Sequence, residues 1–494
     1  MLPTPLGSKL TVAIVRPVLL TMKLVKNVSL GLGLVLSLCA GFPTDIAADG
    51  NGLALTALDH YVHTPDDNYR YSVLQVVQGD GYRTFILEMT SQQWLTEAEV
   101  NLPLWEHFMV IVVPDVVESD IGFLTITGGS KANSAPNGAQ ATDVKRAMDT
   151  QTVVSTLYMV PNQPLVFVND NGFQRTEDAI IAYTWDKFFR TGDEQWPLRL
   201  PMTKAAVRAM DTVTDLLASE RGGGVDVKQF VVAGGSKRGW TTWTTAIVDE
   251  RVVAIIPIVI DLLNVGESFK HHFSVYGSYS LAVIDYVTSG NINWIGTPRW
   301  DELMDLVEPY EYRDRLGLPK FLLNSTGDEF FLPDSWQFYW DDLVGEKHVR
   351  YVPNSNHSMD GTDVFDSIDA WYHAFVHNVK MPRYSWNVDD DGTITVFSLD
   401  KPTQVLLWQA HNSESRNFTQ AVIGRAYTST PLNEIEPGVY QAKPNPPSQG
   451  YTAYYVEMHY PSGTEEPFKF STGVKVVPDV TEYKWTMTPD SSRR

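Results

Sequence analysis

The chain has 494 residues, of which 43% are hydrophobic, 12% aromatic and 20% charged. This length and apolar fraction predict a large globular protein with a substantial core and more than one domain. With 59 acidic against 38 basic residues, the formal net charge is −21. A surface of that sign disfavours binding to nucleic acids and to anionic membranes, because their phosphates are also negative.

The N-terminal segment has the three-part pattern of a secretory signal peptide. After Met22, Lys23 and Lys26 precede an apolar stretch of about a dozen residues, which is shorter than the ~20 residues of a membrane span. We assign residues 1–42 to this segment and expect a secreted, extracellular protein. An uncleaved membrane anchor is the alternative, and the residues before Met22 are either an upstream start or an extension.

Cleavage of this segment would change two properties of the chain. It would remove the single cysteine, Cys39, so the exported chain would hold no disulfide, no thiol nucleophile and no thiolate metal ligand. The first 40 residues also hold four basic residues and no acidic residue, so their loss changes the formal charge from −21 to −25.

A strand pattern at 123–127 is followed by a loop that contains Gly128, Gly129 and Ser130. Glycines allow the backbone to approach a bound molecule closely, and backbone N–H groups in such a loop can bind an oxyanion. We therefore expect Gly129 and Ser130 to supply one donor of an oxyanion hole. A plain glycine turn is the alternative.

Two helical patterns, at 176–189 and 201–218, precede the next glycine-rich turn. The connection that contains them is long for a simple link between two neighbouring strands. We therefore expect these helices to form a cap over a cleft.

The next glycine-rich turn presents a serine as a nucleophile elbow does. An apolar, β-branched run at 230–233 ends at Gly234 and Gly235, and Ser236 then precedes a helical pattern that extends to about residue 249. The hydroxyl would lie near a helix N-terminus, where developing negative charge is favoured. Glycine-flanked serines also occur in ordinary turns, so the residues that follow decide between the two interpretations.

Two candidate partners of Ser236 follow later strands. The strand pattern at 319–324 is followed by Asp328, and the strand pattern at 347–352 is followed by His357. Parallel α/β sheets place their sites at the carboxyl ends of strands, and the α/β-hydrolase arrangement has the chain order Ser, Asp, His. His357 would accept the Ser236 proton, and Asp328 would orient the imidazole. Taken singly, Asp328 could hold a turn and His357 could be a solvated loop residue.

From about residue 383 the helical patterns give way to short strands, which read TITVFSL, QVLLWQAH, YTAYYVEMHY and FKFSTGVKVV. The fold class we predict is α/β: a mostly parallel, α/β-hydrolase-like sheet with helical cap insertions at 43–382, followed by an antiparallel, immunoglobulin-like β-sandwich at 383–494. The acidic run before Gly392 is interpreted as a hairpin turn, because it lacks the remaining ligands of a calcium loop.

No metal or cofactor is expected. His271 and His272 adjoin, but adjacent histidines do not readily face one ion, and neither these two nor His60, His63 and His107 form an HExxH-type pattern. We assign all five histidines to core or surface roles.

Beyond the N-terminal segment 1–42, three glycosylation sequons occur in the chain. We expect Asn417, in an exposed-looking region, to be modified. Asn324 and Asn356 lie beside the proposed triad, so we expect them to remain unmodified.

Long stretches of the sequence also carry a resemblance: LDHYVHTPDDNYRY at 58–71, MTSQQWL at 89–95, LWEHF at 104–108, VPNQPL at 160–165, EDAIIAYTW at 177–185, WPLRLPMTKAAVRAMD at 196–211 and GGSKRGWTTW at 234–243. They resemble the PhoPQ-activated pathogenicity-related protein family, which has bacterial members and a secreted regulator of proliferation from social amoebae. The resemblance covers most of the chain. It implies an α/β-hydrolase-like core whose Ser, Asp and His positions fall on Ser236, Asp328 and His357.

The elbow departs from the usual Gly-x-Ser-x-Gly pattern, since position 238 is Arg238 and the glycine comes at Gly239. This spacing is similar to that of glucuronoyl esterases, which also carry a basic residue directly after the serine. The Lys237 N–H is the other expected oxyanion donor. Arg238 could recognise a substrate carboxylate or stabilise an oxyanion, or it could instead pair with a buried acid and fix the helix.

The sequence therefore predicts a secreted serine hydrolase that cleaves an ester or amide through an acyl-enzyme on Ser236, with no cofactor. The expected partner is a small-molecule or peptide substrate, with no nucleic acid and no membrane after removal of the signal segment. The alternative is a secreted signalling protein that uses the hydrolase scaffold to bind a cell-surface receptor. A weaker third interpretation gives the C-terminal sandwich a role in carbohydrate binding.

Overall fold

The computed structural model describes residues 55–486, so the predicted signal segment and its cysteine lie outside the described residues. Nine strands form one sheet in the order β1-β2-β3-β5-β4-β6-β7-β8-β9. The first three are antiparallel, and β4 to β9 run parallel to one another. In chain order the strands are β1 (Arg70–Gln78), β2 (Tyr82–Gln93), β3 (Leu104–Pro114), β4 (Ile121–Ile126), β5 (Val154–Leu157), β6 (Gln229–Gly235), β7 (Val252–Ile258), β8 (Lys320–Ser325) and β9 (Lys347–Val352).

The parallel strands are apolar throughout because the sheet is covered on both faces. In β6, Phe230 and Val232 belong to one core cluster, whereas Val231 and Ala233 belong to a second cluster on the opposite face. This alternation follows from the two-residue period of side chains along a strand.

Helices cover both faces of this sheet. The helices are α1 (Ala57–His63), α2 (Ala141–Thr150), α3 (Asp178–Thr191), α4 (Arg199–Ala218), α5 (Lys237–Val248), α6 (Val265–Tyr276), α7 (Ile284–Thr288), α8 (Pro298–Val307), α9 (Val364–Val376) and α10 (Gln420–Ile423), with short 3₁₀ turns at 281–283, 291–294, 309–315 and 335–338. Residues of α4 and α5 contribute to the first core cluster, and residues of α2 and α9 contribute to the second. The two helices expected in the cap differ in their packing: α4 packs against β2 and α5, whereas α3 packs against α7 and α8.

The C-terminal part consists of two antiparallel sheets. One has the order β10-β11-β14, and the other has the order β13-β12-β15-β16, with β17 also paired to β15. The strands are β10 (Tyr384–Val388), β11 (Ile394–Ser398), β12 (Gln404–Asn412), β13 (Thr428–Pro431), β14 (Val439–Ala442), β15 (Tyr451–Tyr460), β16 (Phe468–Ser471) and β17 (Lys475–Val477). The acidic run lies in the hairpin between β10 and β11, where Gly392 has φ 84°. The predicted fold class is therefore what the structure shows.

The sandwich packs directly against the α/β part. Met458 and Phe470 lie in the same core cluster as Phe321 of β8 and Trp371 of α9. The Nε1 of Trp336, in the segment between β8 and β9, donates to the Val474 carbonyl at 2.8 Å. The described residues belong to one compact unit. Within the described ranges, no helix is long and apolar enough to cross a membrane.

Candidate active site

Ser236 lies in a strained turn between β6 and α5. Its backbone has φ 57° and ψ −126°, a conformation that glycine adopts far more readily than serine. Such a conformation costs on the order of 1–3 kcal/mol and persists only where the surrounding structure enforces it. Here the Ser236 N–H donates to the Ile258 carbonyl of the adjacent strand at 2.7 Å. The predicted nucleophile thus occupies the tip of a sharp turn at the carboxyl end of β6.

The displaced glycine of the elbow has a steric reason. A Cβ on Gly239 would lie 2.9 Å from the Gly234 carbonyl oxygen, 3.1 Å from the Ile258 carbonyl oxygen and 2.8 Å from Ile260. No side chain fits in that space, because real Cβ atoms avoid contacts this short. The first turn of α5 therefore packs against β6 and β7 through position 239. The Arg238 side chain points instead toward Val160 and Glu177.

Asp328 and His357 form the pair that the sequence predicts. Nδ1 of His357 lies 2.8 Å from Oδ2 and 3.0 Å from Oδ1 of Asp328, and the Asp328 carboxylate is buried. The carboxylate also accepts from the N–H groups of Phe330 and Phe331, at 2.7 Å and 3.3 Å. Because an ionised carboxylate only accepts hydrogen bonds, Nδ1 carries the proton and Nε2 is the basic nitrogen of the neutral ring.

The surroundings of His357 fix its ring and leave one nitrogen unpaired. The Phe330 ring centroid lies 4.2 Å from the imidazole centroid, and Glu329 Oε2 accepts from the His357 N–H at 3.1 Å. Within residues 55–486, the buried Nε2 has no hydrogen-bond partner, so the Ser236 hydroxyl is not hydrogen-bonded to it in this structure. Hydrogen bonds between nucleophile and base are often long without substrate and tighten when it binds.

All three predicted catalytic residues follow the carboxyl ends of parallel strands. The Ser236 N–H contacts the end of β7, and Ile258 of β7 is paired with Leu323 of β8. β8 in turn pairs with β9 up to Ser325 and Val352. Ser236, Asp328 and His357 therefore lie at one edge of one sheet.

The predicted oxyanion loop follows β4 at the same edge. Gly129 has φ 139°, and the Ser130 N–H donates to Asn133 Oδ1 at 2.6 Å. Because that donor is engaged within its own loop, an oxyanion role for Ser130 would require the bond to Asn133 to open. The N–H groups of Gly129 and Lys237 are the remaining predicted donors.

Lys237 and Arg238 are both paired with acidic side chains. Lys237 Nζ lies 2.9 Å from Glu177 Oε2 and 2.9 Å from Asp178 Oδ2. Arg238 donates to Glu177 Oε1 at 2.7 Å and to the Val160 carbonyl at 2.5 Å. Of the two interpretations of Arg238, pairing with an acid is the arrangement present in the structure, and a contact with substrate stays a prediction.

Glu177, the acid that forms ion pairs with both Lys237 and Arg238, was not identified from the sequence. Burial alone would raise the pKa of its carboxyl, but the hydrogen bond and charge of Arg238 and the charge of Lys237 outweigh burial and lower the pKa to about 2. Gln163 also donates to Glu177 at 2.6 Å and to the Gly129 carbonyl at 2.8 Å. Gln163 thereby connects the predicted oxyanion loop to the charge cluster, which consists of Glu177, Asp178, Lys237 and Arg238.

Arg238 also lies directly against the oxyanion loop. A Cβ on Gly128 would be 2.6 Å from the Arg238 guanidinium, so a larger residue at position 128 would require Arg238 to move. The same guanidinium contacts Val160, whose own N–H donates to Thr127 at the start of the loop. Arg238 therefore packs the loop against the helix that follows the nucleophile.

A second buried carboxyl, Asp261, is near enough to Asp328 for the two charges to interact. It accepts from the hydroxyls of Tyr339 at 2.5 Å and Tyr351 at 2.6 Å. Burial raises the pKa of Asp261 to about 7; the two hydroxyls oppose this rise, and the charges of Asp328 and Asp334 add to it. This carboxyl therefore changes its charge near neutral pH.

The described residues contain no group of three or more His, Cys, Asp or Glu side chains arranged to hold a metal ion. The adjacent histidines have separate partners. His271 contacts Asp334 at 3.1 Å, and His272 accepts from the Ser280 N–H at 3.0 Å.

The chain is similar to known proteins over most of its length. The family model described as PhoPQ-activated pathogenicity-related protein matches residues 58–419. The chain belongs to this family. Among its relatives, Autocrine proliferation repressor protein A of Dictyostelium discoideum is 35% identical over 457 residues, which cover 87% of this chain and 92% of that protein.

Similar solved structures include two esterases. Acetyl xylan esterase from Paenibacillus sp. R4 has a TM-score of 0.45 and 12% identity, and the match covers 65% of this chain and 92% of that chain. Glucuronoyl esterase from Solibacter usitatus has a TM-score of 0.36 and 13% identity, and the match covers 67% of this chain and 96% of that chain.

Proposed function

We propose that this protein is a serine hydrolase that cleaves an ester or amide bond through an acyl intermediate on Ser236. The observation that carries the proposal is the Asp328–His357 pair, with a 2.8 Å contact at Nδ1 and a buried, unpartnered Nε2 among the described residues. This pair lies at the sheet edge where the strained turn presents Ser236. A base that is oriented by a carboxylate and has a free nitrogen is what activation of a serine requires.

In the proposed reaction, Ser236 Oγ attacks the carbonyl carbon of the substrate while His357 Nε2 takes the hydroxyl proton. The negative oxygen of the tetrahedral intermediate accepts from the N–H groups of Lys237 and Gly129. The imidazolium then gives its proton to the leaving alcohol or amine, and the acyl group stays on Oγ. Water, deprotonated by His357, attacks the acyl carbon, and proton return to Oγ releases the acid.

A fluorophosphonate probe tests the proposal, because it reacts with an activated serine and not with an ordinary hydroxyl. Wild-type protein should be labelled at Ser236, and Ser236→Ala should not be labelled. Ser429→Ala, which removes an exposed hydroxyl of the sandwich that the proposal does not use, should be labelled as wild type. Well-folded wild-type protein that is not labelled would contradict the proposal.

A second candidate function is signalling by binding. It is favoured by the 35% identity to a protein named as an autocrine proliferation repressor, over 92% of that protein's length. In this case the hydrolase scaffold would present a surface to a cell-surface receptor. The test is the effect of Ser236→Ala protein on cell proliferation: full retention of an effect that wild type has would assign the function to binding.

We also propose that the protein is exported and glycosylated. Export is supported by the signal-like segment that begins at Met22. N-terminal sequencing of protein recovered from the medium should find a start near residue 40. Modification of Asn417 should appear as a mass decrease on treatment with a glycosidase, and Asn417→Gln should abolish it.

A further inference from the structure

We infer that the C-terminal sandwich holds the two halves of the Asp–His pair in position, and that Gln420 is the positioning residue. The inference rests on the proposed hydrolase function. Three segments are involved: the acid loop (residues 326–334), which carries Asp328; the histidine loop (residues 353–361), which carries His357; and the sandwich loop (residues 416–427), which joins β12 to β13 and contains α10.

Gln420 contacts both catalytic loops at once. Its backbone N–H donates to the Gly327 carbonyl at 2.9 Å, directly before Asp328. Its side-chain Nε2 donates to the Asn354 carbonyl at 2.7 Å, in the histidine loop. The contact with Gly327 is close enough that a Cβ there would lie 2.8 Å from the Gln420 nitrogen. One residue of the sandwich thereby bridges the backbones that carry the acid and the base.

Asn354 attaches the histidine loop to the other end of the sandwich loop. Its Nδ2 donates to the Tyr427 carbonyl at 2.9 Å, and its Oδ1 accepts from the Tyr427 N–H at 2.9 Å. The side-chain amide thus pairs with a backbone unit as a neighbouring strand would. Asn354 has φ 56°, a left-handed conformation that asparagine and glycine tolerate.

Arg416 fixes the far end of the acid loop. Its guanidinium lies 2.9 Å from Asp334 Oδ2, and Asp334 also contacts His271 of α6 at 3.1 Å. Burial would raise the pKa of Asp334, but the charges of Arg416 and His271 outweigh it and hold the pKa well below its usual range. A buried carboxylate with these partners is costly to separate from them, so this end of the acid loop is firmly attached to the sandwich.

These contacts matter because both catalytic residues lie on loops. The direct links between the two loops include Gly327 N–H to Ser355 carbonyl at 3.0 Å and Asn354 N–H to Thr326 Oγ1 at 3.0 Å. The sandwich adds anchors to each loop from a common element. A displacement of about 1 Å in a catalytic group can lower a rate by about 10²-fold. The sandwich is therefore part of the catalytic unit, rather than an attached module that could be removed without effect on the chemistry.

Two substitutions of Gln420 separate its two bonds. Gln420→Ala removes the side-chain donor and keeps the backbone N–H. Gln420→Pro removes both donors and places its ring against the Gly327 carbonyl, which must move away. The local backbone accepts proline, because Gln420 is the first residue of α10 and Thr419 before it has φ −59° and ψ 144°. A third variant, Asn354→Gly, removes the amide pairing with Tyr427 and keeps the freedom to adopt a positive φ.

Gln449→Ala is the matched control. Gln449 is an exposed glutamine of the same sandwich, and its Nε2 donates to a backbone carbonyl, that of Ser413, at 3.2 Å. The control loses the same kind of bond without contact to either catalytic loop. All variants are compared well below their thermal midpoints, so that only folded protein contributes.

The first readout is the rate constant of Ser236 labelling by the fluorophosphonate probe. We expect a loss of about tenfold in Gln420→Ala and about 10²-fold in Gln420→Pro, since loss of one and then both bonds frees the loops to move. Asn354→Gly should also be slower, and Gln449→Ala should match wild type. A purely structural role would lower the thermal midpoint and leave the labelling rate of folded protein unchanged.

The second readout does not require catalysis. The proton between His357 Nδ1 and Asp328 gives a far-downfield proton resonance, assigned by its absence in His357→Gln. It should shift or broaden in Gln420→Pro and Asn354→Gly, and remain unchanged in Gln449→Ala. If wild type is not labelled but this resonance responds, the hydrolase proposal fails and the positioning stands. If wild type is labelled and neither readout responds to the variants, the positioning inference is wrong.

Discussion

Ser236 and Glu177 hold nearly the same rare backbone conformation, with φ 57° and ψ −126° in Ser236 and φ 52° and ψ −127° in Glu177. Each residue stands directly before a helix, Ser236 before α5 and Glu177 before α3. The two turns are joined by charge, because both Lys237 and Arg238 contact the Glu177 carboxylate. Strain of this kind persists where surrounding contacts over-determine the backbone. Here the ion pairs of Glu177 with Lys237 and Arg238 hold the two strained turns against each other.

Replacement of Ser236 by glycine should stabilise the protein relative to Ser236→Ala. Relief of about 1–3 kcal/mol of backbone strain exceeds the ~0.5–1 kcal/mol that glycine costs in conformational entropy, so Ser236→Gly should be about 1–2 kcal/mol more stable. The measurement is the free energy of unfolding in denaturant. Ser274, inside α6, provides the control, since glycine there should be less stable than alanine. Equal stabilities of the two Ser236 variants would contradict the assigned strain.

The Glu177 carboxylate should stabilise the protein in a pH-dependent way. Its pKa in the folded protein is about 2, below its ordinary value of 4.5, so its contribution is complete above about pH 4.5 and is lost as pH falls toward about 2. Glu177→Gln should therefore cost about 1–2 kcal/mol at neutral pH, a modest value because the side chain is partly exposed. That difference from wild type should shrink as the pH is lowered.

Thermal or denaturant unfolding between about pH 6 and pH 2.5 checks the Glu177 prediction, with each variant compared with wild type at the same pH. Glu97→Gln serves as the control, since Glu97 is exposed and lies away from the charge cluster. A difference between wild type and Glu177→Gln that stays constant over this range would show that the pairing with Lys237 and Arg238 does not stabilise the folded state.

Arg238→Lys should slow the reaction of Ser236 with the fluorophosphonate probe although the charge is kept. A lysine ammonium cannot reach Val160 and Glu177 with the fixed fork that arginine uses, so the oxyanion loop at Gly128 loses its support. We expect probe labelling to be slower by about tenfold or more. Arg383→Lys, which alters an exposed arginine paired with Asp400 in the sandwich, should label at the wild-type rate. Wild-type labelling of Arg238→Lys would leave Arg238 without a role in holding the loop.

Local sequence patterns were sufficient to predict the strands and turns that carry Ser236, Asp328 and His357. The strand pattern at 347–352 matches β9 in both bounds. The sharp turn expected at Ser236 is present, but Gly234 and Gly235 belong to β6, and the positive φ of the turn is that of Ser236 itself. Asp328 and His357 were predicted to pair because each follows a parallel strand, and they lie within hydrogen-bond distance. These features depend on residue type and short-range periodicity, which a sequence displays directly.

Pairings between distant segments could not be predicted in this way. The choice between the two interpretations of Arg238 depends on Glu177, which is 61 positions away in the chain and has no local signal of its partner. The engagement of the Ser130 N–H by Asn133 depends on how that loop closes. The sandwich was predicted as a separate module, and the contacts of Gln420 with both catalytic loops arise only from packing between the two parts of the chain.

The buried carboxyl of Asp261 should make the protein less stable as the pH rises toward neutrality. Burial raises the pKa of this group to about 7 in the folded protein, against its ordinary value of 3.8, so the folded state binds the proton more tightly than the unfolded state. The resulting contribution to stability is complete below about pH 4 and is lost as the pH rises through about 7. Asp261→Asn removes this titration and keeps the size and a carbonyl acceptor for the hydroxyls of Tyr339 or Tyr351. The stability of the variant relative to wild type should therefore increase between about pH 4 and pH 8.

Unfolding measured at intervals between about pH 4 and pH 8 checks the Asp261 prediction, with Asp390→Asn in the exposed hairpin as control. If the difference for Asp261→Asn does not change with pH, Asp261 carries the same charge in the folded and unfolded states, and the two tyrosine hydroxyls stabilise an ionised carboxylate throughout.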